Sequence, residues 1–367
     1  MRLIQEGQVI RGTYEVERFL GEGAFAEVYR VKHRFLGRQA MKVFKTVGTI
    51  QETEQALEEA IMLSQIGHPN IVRVFDANIT ETSNGSCGFF TMEYVAGGSL
   101  EQFWRSHGDQ FVPVETAVEI MRQVCRGMEV AHKEKPPIIH RDIKPQNILV
   151  GYDVNGLRAR VSDFGLAKRV NPLTWAASAR GTRCFKAPET FRNPLHDSCA
   201  GDVWALGLTL YLLITDQLPY SGADLDAVDL KSFERPMMPA SYLNIQVNPA
   251  LDQILFRALA VKRDDRYQNA AELLEELVNW RPDAAVPIKP PKSAMSSEAA
   301  KSVFGEQHTP ANEKKAREMA AQAVKLSRQT GRLMEAADLM EEAFNRWPEL
   351  REQYEYQLKL WRRGIVQ

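Results

Sequence analysis

A short run of the chain carries side chains that are suited to phosphoryl transfer. Residues 140–147 read HRDIKPQN, and Asp142, Lys144 and Asn147 in this run supply a carboxylate, an ammonium and an amide. Sixteen residues after Asn147, Asp163 begins the triplet DFG and adds a second carboxylate. A carboxylate can accept the proton of an attacking hydroxyl, and carboxylate and amide oxygens bind Mg²⁺. The spacing therefore indicates a site where a metal-bound phosphate meets an acceptor hydroxyl.

Two upstream patterns add the parts that would bind phosphate. Residues 20–29 read LGEGAFAEVY, which predicts a strand, a turn around Gly21 and Gly23, and a returning strand. Backbone N–H groups can close over a triphosphate at such a turn because the side chains are small. Lys42 follows in the strand-like run AMKV. In this order and spacing the motifs resemble those of the eukaryotic-type (Hanks-type) serine/threonine protein kinase family, except that Ala26 replaces the third glycine of its loop.

The resemblance implies an α+β chain with the bilobal protein kinase fold, in which a β-rich amino-terminal lobe precedes a mainly helical carboxyl-terminal lobe. It implies ATP and Mg²⁺ as cofactors and transfer of the γ-phosphoryl group to Ser or Thr hydroxyls of protein substrates, with autophosphorylation of the activation segment. Asp142 would act as the base and Lys144 would hold the γ-phosphate. Asn147 and Asp163 would bind the metal.

The resemblance also assigns residues to the phosphates of ATP. Lys42 would contact the α- and β-phosphates, and Glu59, nine residues before the run HPNIV, would hold the ammonium of Lys42. The other glutamates of the helix predicted over 51–66 would then be solvated surface charges.

Residues 89–98 read FFTMEYVAGG and are expected to form a strand that runs into the hinge between the lobes. By resemblance, Met92 would be the gatekeeper, and the backbone at Glu93 and Val95 would bind adenine. Three apolar residues would pack on the faces of the adenine: Val28, Ala40 and Leu149.

Further elements would position the catalytic run. The Asn155-Gly156 pair predicts a hairpin turn between the catalytic run and Asp163. The apolar run 203–215 predicts a buried helix, and by resemblance Asp202 at its start would brace the catalytic-loop backbone. The activation segment would end at Glu189, which is expected to pair with Arg266.

Four residues form a regulatory hypothesis. Ser178 matches the main phosphorylation site of the family's activation segment, and a phosphate there would meet Arg141 and Lys168. Thr182 matches the threonine that contacts the catalytic loop. Modification at Thr174, or at no site, remains the alternative.

Composition limits the partners of this chain of 367 residues. A formal net charge of -1 argues against bulk electrostatic attraction to nucleic acid or anionic membrane. Four scattered cysteines indicate neither a zinc site nor a disulfide framework, and no segment is long enough to span a bilayer. A reducing cytoplasm is the expected compartment.

The predicted domains are a kinase domain over 10–281, a proline-rich linker over 282–311 and a helical tail over 312–367. Within the kinase domain the amino-terminal lobe would reach to about 92, followed by a hinge over 93–98 and the second lobe over 99–281. Four tail residues fall at the spacing of a tetratricopeptide repeat: Gly331, Ala336, Ala343 and Pro348. An ordinary amphipathic helical hairpin is the alternative. The tail would dock on the kinase lobe, self-associate or bind a protein partner.

Two other functions are alternatives to protein phosphorylation. The first is a pseudokinase-type scaffold that uses the tail to recruit partners, although no member of the catalytic set is missing. The second is a kinase for small molecules, which is disfavoured by the intact segment between Gly181 and Glu189, since that segment resembles the platform for protein substrates.

Overall fold

The computed structural model describes residues 2–23, 26–45, 67–108, 111–164, 183–192, 197–220, 233–282, 310–329, 332–347 and 349–365. The chain divides into two compact units. The first unit comprises Met1–Tyr94 and Ser162–Thr182, and the second comprises Val95–Val161 and Arg183–Gln367. The helix predicted over 51–66, with Glu59, lies outside the described residues.

The first unit is built on one antiparallel sheet of the order β1-β2-β3-β4-β6-β5. Its described strands are β1 (Val9–Ile10), β2 (Tyr14–Glu22), β3 (Ala26–His33), β4 (Gly37–Phe44), β5 (Val74–Thr82) and β6 (Gly85–Glu93). Because successive side chains of a strand point to opposite faces, each strand contributes to two different surfaces.

One face of this sheet packs a hydrophobic core. The core includes Tyr29 and Val31 of β3, Met41 and Val43 of β4 and Phe89 of β6. The opposite face carries the alternate residues of the same strands. There, Val28 lies opposite Lys42 on the neighbouring strand, Lys42 lies opposite Phe90, and Ala40 lies opposite Met92. The sheet therefore presents Val28, Ala40 and Lys42 on a single face.

The second unit is mainly helical. Its described helices in chain order are α1 (Leu100–Arg105), α2 (Val114–Lys133), α3 (Pro188–Arg192), α4 (Cys199–Thr215), α5 (Ala240–Leu243), α6 (Pro249–Ala258), α7 (Ala270–Asn279), α8 (Pro310–Ser327), α9 (Leu333–Arg346) and α10 (Leu350–Arg362). The apolar α4 is buried along almost its whole length, as its run of apolar residues predicts. None of the helices described in either unit is both long enough and apolar enough to cross a bilayer.

A two-stranded hairpin completes the second unit. It consists of β7 (Ile148–Asp153) and β8 (Gly156–Val161). The predicted Asn155-Gly156 turn is displaced by one residue, because Gly156 already pairs with Asp153 and the loop is Val154-Asn155. Gly156 has a φ of 106°, which a residue with a Cβ rarely adopts, so the glycine is required at the strand start.

The tail forms a small helical cluster within the second unit. Helices α8, α9 and α10 bury a common set of small and large apolar residues, including Ala320, Ala336, Phe344 and Trp361. Tyr152 of β7 packs against the same cluster. Gly331 and Pro348, two of the residues on which the repeat prediction rests, lie outside the described residues.

Candidate active site

The catalytic run lies on a short loop and a 3₁₀ turn that lead into β7. The Nζ of Lys144 lies 2.9 Å from the Oδ2 of Asp142. The Nδ2 of Asn147 donates to the same carboxylate oxygen at 2.9 Å and to the backbone carbonyl of Asp142 at 2.8 Å. The structure thus brings the three predicted residues together and fixes the orientation of the Asp142 carboxylate.

A buried aspartate braces the start of this loop. Asp202, in the first turn of α4, accepts hydrogen bonds from the backbone N–H groups of His140 at 2.7 Å and Arg141 at 2.9 Å. Its Oδ2 also lies 3.1 Å from the Nε2 of His132. Burial opposes ionisation of Asp202, but the hydrogen bonds from His132 and the loop hold the pKa of its carboxyl below the usual value. The predicted bracing role of Asp202 is confirmed.

The tautomer of His132 follows from its second contact. The Nδ1 of His132 accepts a hydrogen bond from the backbone N–H of Ala270 at 3.1 Å. An accepting Nδ1 carries no proton, so Nε2 carries it and donates to Asp202. Helices α2, α4 and α7 are therefore linked through one imidazole to the backbone of the catalytic loop.

Arg141 already faces an anion. Its Nε lies 3.2 Å from the Oδ2 of Asp197, and its carbonyl accepts a hydrogen bond from the Nζ of Lys186. Three other members of the regulatory hypothesis lie outside the described residues: Lys168, Ser178 and Thr182. A carboxylate thus lies at Arg141, and the phosphate at Ser178 stays a prediction.

In the first unit, Lys42 and Asp163 form an ion pair. The Nζ of Lys42 lies 2.7 Å from the Oδ1 of Asp163, and the two side chains are 17% and 28% exposed. Lys42 points from the sheet face that also carries Val28 and Ala40. The pair therefore holds an ammonium and a carboxylate together on the face where the sequence predicts nucleotide. The predicted partner Glu59 lies outside the described residues.

The glycine turn between β2 and β3 is open. Gly21 pairs with Val28, and the N–H of Gly23 donates to the carbonyl of Ala26 at 2.8 Å. Among the described residues, a Cβ built at Gly21 would meet no atom within 4 Å, and one at Gly23 would come no closer than 3.8 Å to an atom of Ala26. Packing against the described residues therefore does not demand glycine at either position. Close approach of a ligand such as a triphosphate gives a reason for both.

The predicted hinge begins where β6 ends. The N–H of Glu93 donates to the carbonyl of Arg73 at 2.8 Å, so an adenine contact at Glu93 would have to use its carbonyl. Met92 is buried and lies opposite both Ala40 and Val74. In the second unit, the carbonyl of Val95 accepts from the N–H of Gly98 at 3.3 Å. Leu149 is half-buried on β7.

The donor atoms suit Mg²⁺. Asp163 offers carboxylate oxygens, and Asn147, whose Nδ2 donates to Asp142, offers its amide oxygen. In the part of the chain that the structure describes, no group of three or more His, Cys, Asp or Glu side chains is arranged to hold a metal on its own. Mg²⁺ commonly binds one or two protein oxygens and completes its shell with phosphate and water. Each of the two residues, taken by itself, therefore carries an oxygen of the kind that fits a cation arriving with a nucleotide.

The model of the family described as protein kinase domain matches residues 14–284. The chain belongs to the protein kinase family. It is 31% identical over 278 residues to a probable serine/threonine-protein kinase of Clostridium acetobutylicum, covering 74% of this chain and 40% of that protein. It is 32% identical over 279 residues to serine/threonine-protein kinase PknB of Mycolicibacterium smegmatis, covering 74% and 43%. The chain thus spans about two-fifths of the length of these curated relatives.

Solved structures agree on the fold of this kinase. The crystal structure of the Mycobacterium tuberculosis PknI kinase domain matches with a TM-score of 0.56 at 26% identity, covering 75% of this chain and 99% of that one. The predicted protein kinase family and the protein kinase fold are confirmed by these matches.

Two contacts of the kinase were not predicted from the sequence. Asp197 and Lys186 both hold Arg141, yet each is a single polar residue more than forty positions away in the chain. Neither stands in a motif. Only the fold, which brings residues around α3 to the catalytic loop, shows their role.

Proposed function

We propose that this chain is an ATP-dependent serine/threonine protein kinase that transfers the γ-phosphoryl group to Ser or Thr hydroxyls of protein substrates. The observation that carries the proposal is the Asp142 carboxylate, held at hydrogen-bond distance by both Lys144 and Asn147. A carboxylate fixed in this way is ready to accept a hydroxyl proton, and the ammonium beside it is ready to meet a phosphate.

The proposed reaction relies on positioning and electrostatics. Asp142 orients the acceptor hydroxyl and takes its proton, and the ammonium of Lys144 offsets negative charge on the transferring group. The Lys144 Nζ and the Asp142 Oδ2 are 2.9 Å apart, so both can act on atoms of one reacting pair. Because the transition state of phosphoryl transfer is loose, little covalent work is left for the protein.

The first unit would bind the nucleotide. Lys42 would contact the α- and β-phosphates, and the small side chains at Gly21 and Gly23 would allow the backbone to approach them. Asn147 and Asp163 would hold Mg²⁺, which when bound neutralises charge on the phosphate oxygens. In the ion pair of Lys42 with Asp163, an ammonium for phosphate and a carboxylate for metal are already side by side.

A protein acceptor is supported by the end of the activation segment. The carboxylate of Glu189 accepts two hydrogen bonds from the guanidinium of Arg266, at 2.8 and 2.7 Å. This bidentate pair anchors α3 beneath the catalytic loop.

One assay separates this proposal from the two alternatives. The purified chain is incubated with Mg²⁺-ATP and either a generic protein acceptor or a panel of small alcohols and amines, with Asp142→Asn as the control. We expect phosphate on the protein acceptor alone, and none with the variant. Phosphate only on a small molecule would support the small-molecule kinase. Nucleotide binding with no transfer to any acceptor would support the scaffold.

We also propose that α8 and α9 form a tetratricopeptide-like pair. Both helices place alanines at their shared contact, among them Ala316, Ala320 and Ala323 on α8 and Ala336 on α9. Small residues let two antiparallel helices approach closely, as repeats of this type require. We further propose a reducing cytoplasm as the location, which the four free thiols of the chain support.

A further inference from the structure

The tail packs on the last residues of the predicted hinge. The Nδ2 of Asn345, near the end of α9, donates a hydrogen bond to the carbonyl of Ala96 at 3.2 Å. Ala96 is the chain neighbour of Val95, whose backbone is proposed to bind adenine. One turn earlier on α9, the Oε1 of Glu341 accepts a hydrogen bond from the backbone N–H of Tyr152 on β7 at 3.2 Å. Both tail side chains thus bind main-chain atoms.

Three glycines lie next to α9 in this contact: Gly97, Gly98 and Gly151. A Cβ built at Gly97 would lie 3.0 Å from the Oε2 of Glu341, and one at Gly151 would lie 3.3 Å from the same atom. A Cβ at Gly98 would lie 3.0 Å from the Nδ2 of Asn345. Such distances are tight for a Cβ, so α9 can sit this close only because these positions lack side chains.

The same segment also contacts β7. The N–H of Val150 donates to the carbonyl of Gly98 at 2.8 Å, and a Cβ at Gly97 would lie only 2.1 Å from the carbonyl oxygen of Val150. Residues 96–98 therefore contact both β7 and the tail. Their backbone position depends on both neighbours.

Helix α10 extends the contact. The Nη1 of Arg351 donates to the Oγ of Ser106 at 2.7 Å, and its guanidinium lies 4.8 Å from the ring centroid of Phe103 on α1. The hydroxyl of Tyr152 donates to Glu355 at 3.1 Å. The tail therefore contacts α1, residues 96–98 and β7, and these contacts together fix its position within the second unit.

We propose that the tail is a positioning element of the nucleotide site: through Asn345 and Glu341, α9 fixes the backbone of residues 96–98 and thereby the adenine-binding backbone at Val95. The inference rests on the proposed function, since it assigns Val95 to adenine. A binding site whose backbone is fixed in advance loses less conformational freedom when the ligand binds. Asn345 is accordingly a positioning residue, because it acts through Ala96 and touches no substrate.

The test compares two donor deletions with a matched control in the full chain. Asn345→Ala and Asn345→Asp each remove the amide donor, and Lys325→Ala alters an exposed tail residue of α8. Three quantities are measured: amide hydrogen exchange of residues 94–105 without nucleotide, the dissociation constant for ADP, and kcat and KM for ATP.

Loss of one hydrogen bond predicts a rise of about 2- to 10-fold in the ADP dissociation constant and in the KM for ATP. We expect kcat to stay within about twofold, because the catalytic loop is not touched. Exchange of residues 94–105 should be faster in both Asn345 variants and unchanged in Lys325→Ala.

The inference is overturned if both Asn345 variants match the wild type in ADP affinity, whatever their exchange rates. It is also overturned if Lys325→Ala weakens ADP binding equally, since the effect would then be general to the tail. Exchange and ADP affinity need no catalysis. A wild-type chain that binds ADP but transfers no phosphate would therefore refute the proposed function while leaving this inference to be decided by the same data.

Discussion

Two residues at the candidate site adopt backbone conformations that are costly outside glycine. Arg141 has a φ of 69° and Asp163 has a φ of 61°. Such conformations cost on the order of 1–3 kcal/mol each and persist only where the surroundings impose them. At Arg141 the backbone N–H is held by Asp202, and at Asp163 the side chain is held by Lys42. Polar contacts, rather than local preference, therefore set the geometry beside the reacting groups.

The ion pair of the first unit gives a prediction with a matched control. We expect Lys42→Ala and Asp163→Ala to lower kcat/KM by at least 100-fold, because both residues act on bound phosphate and metal. Lys45→Ala should retain activity, since the described ion pair of the Lys45 side chain is with the exposed Glu22. Steady-state kinetics and thermal unfolding of the three variants provide the measurement. Near-normal turnover in a folded Lys42 or Asp163 variant would contradict the assigned roles.

A second residue-scale prediction concerns the proposed switch at Ser178. After incubation with Mg²⁺-ATP, Ser178→Ala should be several-fold less active than the wild type if a phosphate there orders the activation segment through Arg141. A phosphate at Ser178 would act through Arg141, which pairs with Asp197 in the structure. The loss of activity caused by Ser178→Ala should therefore be smaller when Arg141 is also replaced by Ala. Thr174→Ala serves as the control for the alternative site. Equal activity and an unchanged phosphosite map in Ser178→Ala would dispose of the switch.

Much of the site could be predicted from the sequence because its parts are local. Asp142, Lys144 and Asn147 lie within one short loop, so their proximity in space follows from their spacing. The anion at Arg141 could not be predicted in this way. Asp197 lies 56 positions further along the chain and belongs to no motif, so only the packing of the second unit brings it there.

At the scale of elements, the sequence predicts whether a segment is a helix or a strand better than it predicts where that segment begins and ends. The apolar run 203–215 predicts a buried helix, but α4 begins earlier, at Cys199. Ser198 caps it, because its side chain accepts a hydrogen bond from the backbone N–H of Gly201. The pattern of apolar residues does not include the polar cap or the first turn, which is only partly buried, so it places the start of the helix too late. The one-residue displacement of the hairpin loop also has a local cause, which is the backbone conformation of Gly156 at the strand start.

The packing of α9 onto β7 should depend on pH. Burial raises the pKa of Glu341 to about 7, against the lowering effect of Arg362. Its Oε2 is buried without a hydrogen-bond partner among the described residues. The titratable and charged groups around it are Asp338 on α9, Tyr152 on β7, and Arg351, Glu355 and Arg362 on α10.

Because the raised pKa means that the docked tail binds the proton more tightly, protonation favours docking. This contribution is complete below about pH 4.5 and is lost as pH rises through about 7. Its size is on the order of 3 kcal/mol at most. Glu341→Gln should remove the dependence, and Arg362 would still pair with Asp338 at 2.8 Å.

The comparison is made by thermal unfolding of wild type and Glu341→Gln between pH 5 and pH 8. We expect the melting temperature of the wild type to fall relative to that of the variant as pH rises. A constant difference between the two proteins across this range would show that Glu341 does not titrate in the folded chain.

At the scale of the whole molecule, the sequence left open whether the tail docks, self-associates or binds a partner. Within the second unit the described contacts show docking, from α9 and α10 onto α1 and β7. These contacts join residues 189 to 249 positions apart and use main-chain atoms of Ala96 and Tyr152 as partners. A main-chain donor or acceptor leaves no trace in side-chain patterns, which is why the docking surface could not be predicted.

Removing the tail should therefore affect the kinase domain. A chain that ends at Arg281 loses the contacts of α9 and α10 with residues 96–106 and with β7. We expect a lower melting temperature and an ADP dissociation constant raised at least as much as in Asn345→Ala. A chain that ends at residue 309 keeps the linker and should behave in the same way. If both shortened chains keep the melting temperature and the ADP dissociation constant of the full chain, the docked tail has no effect on the nucleotide site.

Phosphosite mapping tests whether Asp142 serves phosphoryl transfer from ATP to Ser or Thr. Wild type and Asp142→Asn are each incubated with Mg²⁺-ATP and a protein acceptor, and the phosphorylated residues are identified by mass spectrometry. We expect phosphoserine and phosphothreonine with the wild type and neither with the variant, although both bind ADP. Phosphate that persists in Asp142→Asn, or that is absent from the wild-type reaction, would contradict this role of Asp142.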